Sequence, residues 1–474
     1  MRLKLILFTL LSILIINNSQ AQYKISIEIK DNKDTMLILG NYYLSGTFAI
    51  DTAYSKKPGK FIFQQKDKHL EKGIYFFANT TGRYSEFVID NESNFTITTN
   101  EEDWAKHIKS KGSKSNSLYF EYMNNNFVFS DMVGELNKER ANMTKEAYEM
   151  AVNNLRLRSD TLKEEFLKNN PNHLLSKVLT ATKDIEIPEI NPIYKNDGSL
   201  DSTAMQLERY NYYVNHYFDN VDLQFDGLLR TPRAVFYDYY NKYWDEVMKF
   251  QPIDSIFKYA NIVIDKSRGS KQMFKYLVHD ITERYLKSHV MGHDEIYVRM
   301  IKKYYESGEA NWMKPSDLDK EIERANKWEK LSRGKIVPDI QCPDTNDLVH
   351  SLYSLKSKYK ILIFWAYDCG HCSTEIPKLY NFYKENKDVY NVEVMAVNSG
   401  MDLKQWREFI VKKGLNWLNV NGLVANYDWH SYFDISSTPY IVILDKDNRI
   451  IAKKISAENI PNFIKYYDQG LIRL

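Results

Sequence analysis

Cysteine is scarce, with three in 474 residues. Three cannot build the disulfide scaffold of a small secreted domain, and they allow at most one pair. A single pair in so long a chain points to a job other than holding the fold. A charge excess of either sign is also missing: Lys and Arg number 64, Asp and Glu 62. With Arg2 and Lys4 set aside the count balances at 62 against 62. Such a chain has no global basic field, which argues against a nucleic-acid partner. Glycine (18) and proline (12) are too few for a collagen-like or low-complexity chain. Beyond the amino terminus no apolar run approaches the roughly 20 residues that a membrane helix needs.

The amino terminus is the exception. Arg2 and Lys4 precede Leu5–Ile16, broken only by Thr9 and Ser12, and Ser19-Gln20-Ala21 follows. This order predicts a signal peptide over residues 1–21, cleaved after Ala21. An uncleaved anchor is the alternative, disfavoured by the short run. The first cysteine is Cys342, so none stands at the cleavage point to carry a lipid. The expectation is an exported chain, soluble in the periplasm or cell envelope, with no stable transmembrane segment after signal removal. Thiol–disulfide chemistry is open to it there.

The length predicts two to four domains, and the periodicity changes twice. Residues 22–103 read as an antiparallel β domain, sandwich or small barrel. Ile25, Ile27 and Ile29 alternate with polar residues, and short runs such as Phe61–Phe63, Ile74–Phe77 and Phe95–Thr98 recur between turns. Residues 104–331 read as helical, with apolar residues three and four apart in Lys145–Lys168, Ala204–Phe218, Pro232–Phe250, Lys271–Lys287 and Asp294–Glu306. Thr231-Pro232 reads as a helix start. The stripe Phe236, Tyr239, Tyr240, Tyr243 and Trp244 reads as packing. His289 and His293 lack a third ligand, so no metal is expected. Residues 335–474 read as α/β: strands at Ile361–Trp365, Val392–Asn398, Tyr440–Leu444 and Arg449–Lys454, with helices between and after them. The fold class is thus multidomain α+β.

Between the first of these strands and its helix stands Trp365-Ala366-Tyr367-Asp368-Cys369-Gly370-His371-Cys372. Two cysteines three apart at a helix start can close a small disulfide ring with little backbone motion. The unpaired N–H groups and macrodipole there favour the thiolate of Cys369. Cys372, further along the helix, can attack a mixed disulfide formed by Cys369. Half a zinc site has the same spacing, but zinc needs two more ligands and only Cys342 remains.

This segment resembles the active site of thioredoxin-fold proteins, and residues 335–474 resemble exported bacterial thiol–disulfide oxidoreductases of the TlpA/ResA kind. Val337-Pro338-Asp339-Ile340 resembles the start of that family's extra amino-terminal hairpin. Glu375 matches its active-site acid, Pro377 the proline inside its active-site helix, and Ser437-Thr438-Pro439 its cis-proline loop. The preceding regions resemble accessory parts of envelope thioredoxin-like proteins, of unknown function. The resemblance implies a Cys369–Cys372 redox disulfide, no cofactor and no metal. It implies protein thiols or disulfides in the cell envelope as partners, together with an unidentified redox partner protein. It assigns Cys369 the attack, Cys372 the resolution and Glu375 the proton. Thr438 and Pro439 would line a substrate groove that pairs with an extended peptide, bordered by Tyr367 and Trp365, with Trp365 read as packing rather than contact.

The departures set further expectations. Ile363 stands where cytosolic thioredoxins keep a buried aspartate. Asp368, next to Cys369, should raise its pKa. His371 should lower it and make the disulfide more oxidising. Gly370-His371 is the dipeptide of disulfide isomerases, so the dipeptide pulls toward oxidation or isomerisation while the family pulls toward reduction. Leu362 and Ala366 stand where a peroxidase of this fold wants Pro and Thr or Ser. A non-catalytic docking or scaffold protein is the competing class. Cys342 reads as a buried free thiol.

Overall fold

The computed structural model describes residues 22–249, 251–435 and 437–472. The signal-peptide expectation and Phe250 lie outside them. The described chain divides into two compact units. One runs to residue 249 and includes Lys266–Met273; the other holds Gln251–Asp265 and everything from Phe274 on.

The first unit opens with β1 (Tyr23–Lys30), β2 (Met36–Tyr43), β3 (Gly46–Tyr54), β4 (Lys60–Gln65), β5 (Gly73–Ala78), β6 (Tyr84–Ile89), β7 (Asn94–Asn100) and β8 (Lys109–Lys111). They form two four-stranded sheets, ordered β4-β1-β7-β8 and β3-β2-β5-β6. Alternation produces the layering: Tyr23, Ile25, Ile27 and Ile29 are buried on one face of β1. Phe87 of β6 meets Phe95 of β7 edge to face with centroids 5.9 Å apart, joining the two sheets through their inner faces. Pairing is antiparallel except between β1 and β7, which run parallel. A parallel pair needs a long crossover, and the other sheet supplies it.

The helices are α1 (Lys114–Glu139), α2 (Lys145–Asn169), α3 (Leu174–Ala181), α4 (Ser202–His216), α5 (Tyr237–Lys242), α6 (Ile253–Lys266), α7 (Lys271–Leu286), α8 (His293–Met300) and α9 (Pro315–Lys330). Ser113 and Thr144 cap α1 and α2, each side chain accepting an N–H from the first turn. Thr231 does not act this way. Its hydroxyl donates back to Leu228 O at 2.8 Å, closing the preceding 3-10 turn, and the helix begins at Tyr237 with no side-chain cap. The aromatic stripe is packing: Phe236, Tyr240, Tyr243 and Trp244 are buried, and Tyr239 stacks on Tyr217 at 4.4 Å.

The second unit carries β9 (Gln341–Pro343), β10 (Val349–Ser351), β11 (Tyr359–Trp365), α10 (Gly370–Tyr390), β12 (Val392–Asn398), α11 (Leu403–Lys413), β13 (Leu418–Asn421), α12 (Trp429–Phe433), β14 (Tyr440–Asp445), β15 (Ile450–Lys453) and α13 (Ile460–Asp468). The five-stranded sheet runs β13-β12-β11-β14-β15, with β11 parallel to β12 and antiparallel to β14. Every residue of β11 is buried. Ile361, Ile363 and Trp365 enter one core with Ile376 and Leu379 of α10; Leu362 and Phe364 enter the other with Trp429, Phe433 and Cys342. A strand covered on both faces reads as a continuous apolar run for this reason. The strand starts two residues before Ile361, so Lys360 is buried as well. Helices α8 and α9 belong to the same unit. Asp294 pairs with Lys453, Glu295 with Arg333 at 3.2 Å, and the Trp328 indole donates to Asp434 at 2.6 Å.

Candidate active site

Two loops fix the carboxy-terminal end of β11. Ser399, just after β12, donates its N–H and its hydroxyl to Trp365 O at 2.8 and 3.0 Å. The chain then turns through Ala366-Tyr367-Asp368, and Cys369 N–H closes the turn on Ala366 O at 3.3 Å. Cys369 is the N-cap of α10: its backbone is extended and its Sγ accepts the Cys372 N–H at 3.3 Å. A sulfur thus takes the place that a Ser, Thr or Asp oxygen usually fills. Cys369 Sγ also lies 3.2 Å from Thr438 O, and the Thr438–Pro439 peptide bond is cis. The cysteine pair and the proline loop, 69 residues apart in sequence, meet at one point.

The two thiols are driven apart electrostatically. Partial burial pushes the Cys369 pKa up. Hydrogen bonds from the Cys372 side chain, from Thr438 and from the backbone N–H groups of Cys372 and His371 outweigh it, and the net shift is downward. Burial, and then the bond to Cys369, push Cys372 up to about 12. Cys369 is part-exposed and Cys372 buried. A reactive thiol and a protonated reserve thiol therefore sit side by side. The downward shift runs against the rise expected from Asp368, whose side chain is exposed to water that screens it. His371 acts as expected in direction but through its backbone N–H, while its ring is exposed.

Glu375 sits one turn beyond Cys372 and is mostly buried. Its Oε2 accepts the Ala457 N–H at 2.8 Å, and its Oε1 pairs with Lys378 at 3.1 Å. It is neither a solvated helix acid nor a hydrogen-bond partner of Cys372. Pro377 lies inside α10, where it removes one backbone donor. Trp365 is fully buried and packs on Phe409 at 5.2 Å. It packs in the core beneath the cysteines, because its position in β11 points it inward. Tyr367 is half-buried, and its hydroxyl accepts the Asp402 N–H at 3.3 Å. Gly370 is exposed. Cys342 is fully buried, and its pKa is raised to about 12 by burial.

Ser399, Asp402 and Ala457 escaped the sequence reading. Asp402 left a signal: it caps α11 by accepting the Lys404 and Gln405 N–H groups, and Gln405 reaches back to it. Asp followed three residues later by Gln is a capping-box pattern. Ala457 acts through its backbone N–H, which leaves no mark in a sequence, and Ser399 through its N–H and its hydroxyl alike.

The fold and the cysteine site define a thioredoxin-like domain, and comparison with known proteins agrees. Residues 357–450 match a family described as thioredoxin-like, and residues 23–119 match a domain of unknown function, DUF4369. Thiol-disulfide oxidoreductase ResA of Bacillus subtilis (strain 168) is 29% identical over 123 residues, covering 26% of this chain and 67% of that protein. A solved domain of a possible thiol-disulfide isomerase from Cytophaga hutchinsonii is 37% identical, covering 29% of this chain and 95% of that one, with a TM-score of 0.28. A thioredoxin-like protein from Bacteroides caccae is 16% identical, covering 60% and 99%, with a TM-score of 0.47. The chain thus carries a thiol-disulfide oxidoreductase domain homologous to ResA at its carboxy-terminal end, behind an amino-terminal DUF4369 domain.

Proposed function

We propose that this protein reduces disulfides of protein substrates outside the cytoplasm through the Cys369-Gly370-His371-Cys372 pair. The observation that carries the reading is the asymmetry of the two thiols: a part-exposed Cys369 with a lowered pKa beside a buried Cys372 with a raised one. The Cys369 thiolate attacks one sulfur of a substrate disulfide. A Cys369–substrate disulfide forms, and the other substrate sulfur leaves as a thiolate and takes up a proton. Cys372 then loses its proton and attacks Cys369 Sγ. The Cys369–Cys372 disulfide forms, the second substrate sulfur leaves, and the substrate has gained two electrons. A separate reduced protein returns the pair to the dithiol by the same exchange.

Glu375 is the proposed acceptor of the Cys372 proton, through water, one helical turn away. Thr438 and Pro439 are the proposed floor of the groove that holds an extended substrate segment against Cys369. Export rests on the amino-terminal pattern of Arg2, Lys4, Leu5–Ile16 and Ala21. No described helix is long and apolar enough to cross a membrane.

The first test is Cys372→Ser, which blocks resolution. The variant is expected to accumulate covalent mixed disulfides through Cys369 that a reductant releases. A docking module would trap nothing above a Cys369→Ser, Cys372→Ser control, and that result would overturn the reading. The Gly370-His371 dipeptide favours a second reading, isomerase or oxidase. The potential of the pair separates the two: about −180 mV is typical of the isomerase and about −270 mV of thioredoxin.

A further inference from the structure

The other end of the thioredoxin-like sheet holds a basic concavity that disulfide exchange does not use. It lies at the start of β11, about 20 Å along the strand from the cysteines at about 3.3 Å per residue. Its volume is about 760 Å³, between the segment leading into β11, Asn391 at the end of α10 and the β14–β15 turn.

Lys360 lies in its wall and is only 2% exposed. Its ammonium donates to Lys446 O at 3.4 Å and to Asn448 Oδ1, both neutral acceptors. Among the described residues no carboxylate forms an ion pair with it. Asp445, Asp447 and Asp339 favour its charge without hydrogen-bonding to it, and a buried ammonium bonded to neutral groups alone is still costly, so an anion in contact would lower that cost. Ser357 is 5% exposed and lines the same space, and its Oγ has no hydrogen-bond partner. Lys356 and Lys446 are exposed at the rim. Lys358 is already paired with Asp468. Asp447 is the acid of the lining; Asp445, outside it, accepts the N–H groups of Asp447 and Arg449 and also acts on Lys360.

We propose that this concavity binds a phosphate-type oxyanion, with Lys360 and Ser357 as inner donors and Lys356 and Lys446 closing over it. Lysine donors converging from several directions suit a tetrahedral dianion better than a planar carboxylate, for which the arginine fork is the usual match. No arginine lines the space. Burial, and then the neighbouring Lys356, hold the Lys360 pKa below its ordinary value against the opposing pull of Asp445, Asp447 and Asp339. Free phosphate, a phosphomonoester and a phospholipid headgroup share the required chemistry.

The test titrates the intact reduced protein with inorganic phosphate at constant ionic strength, against chloride, by calorimetry and thermal denaturation. Phosphate is expected to bind and to raise Tm where chloride does not. Lys360→Met and Ser357→Ala should each weaken binding at least tenfold, and the Lys356→Ala, Lys446→Ala double variant several-fold. The reactivity of Cys369 should stay unchanged in all of them. If Lys360→Met does not fold, Ser357→Ala and the double variant carry the test. Sedimentation with phosphatidylcholine vesicles containing phosphatidylglycerol separates the sources. Co-sedimentation lost in the double variant identifies a lipid headgroup, and phosphate binding without it identifies a free anion; either supports the site. A response to phosphate equal to that to chloride, or full phosphate affinity in both Ser357→Ala and the double variant, would overturn it.

Discussion

At the scale of single residues, the proposed chemistry depends on one sulfur, the N-cap of α10, serving also as the nucleophile. Cys369 accepts the Cys372 N–H as an N-cap, so the bond that orders the first turn of α10 also favours the thiolate. The expected outcome is that iodoacetamide alkylates Cys369 with a half-maximal pH below that of an ordinary thiol, about 8.5. The sign is direct: a lowered pKa leaves more thiolate at a given pH, and the rate falls only when pH drops through that lower value. Cys372 and Cys342, both raised to about 12, should stay unmodified at neutral pH in the native protein. Mass mapping of the labelled chain checks both statements. Glu375→Gln removes a proton acceptor while keeping a group that can still face Ala457. Rapid-quench kinetics should show resolution by Cys372 slowed about a hundredfold, the low end of general-base effects, with the first attack unchanged. Equal resolution rates would remove Glu375 from the mechanism. The cysteines were legible because spacing and a strand–helix junction are sequence properties. The partners of Glu375 were not, because one of them is a backbone N–H 82 residues away. The weak effect of Asp368 was hidden too, since exposure decides how much a charge counts.

At the scale of elements, the sequence shows most clearly what is periodic or fully buried. Strand β12, Val392–Asn398, follows directly from its apolar run. Strand β13 did not, because Leu418–Asn421 is short and half asparagine, a residue depleted in strands, and joins the sheet through its parallel pairing with β12. The parallel pairing of β1 and β7 was equally invisible, since a period of two gives a strand but not its neighbour. Helix α11 offers a direct test. Asp402 caps it and contributes the N–H that the Tyr367 hydroxyl accepts beside the redox site. Asp402→Ala should destabilise the protein by about 1 kcal/mol, the usual worth of a lost N-cap. Urea denaturation checks it, and a change under 0.3 kcal/mol would leave the cap without importance.

At the scale of the whole molecule, the redox domain does not stand apart from the helices that precede it. Helices α8 and α9 share its unit, tied by the Asp294–Lys453 pair, the Glu295–Arg333 pair and the Trp328–Asp434 bond. Lys453 is 3% exposed and Asp294 9%. Removing one charge of such a pair leaves the other buried without a counter-charge, at a cost of about 3–5 kcal/mol. Asp294→Ala should therefore lower the denaturation midpoint, read through tryptophan fluorescence and far-ultraviolet dichroism. The most direct measurement of the central claim is a redox titration of the full chain against glutathione, quenched with an alkylating agent and read by mass. A single two-electron transition is predicted, with Cys369 and Cys372 protected together and Cys342 unchanged, at a potential nearer about −270 mV than about −180 mV. Two thiols that label independently of the poise, with no joint transition at any potential, would contradict it.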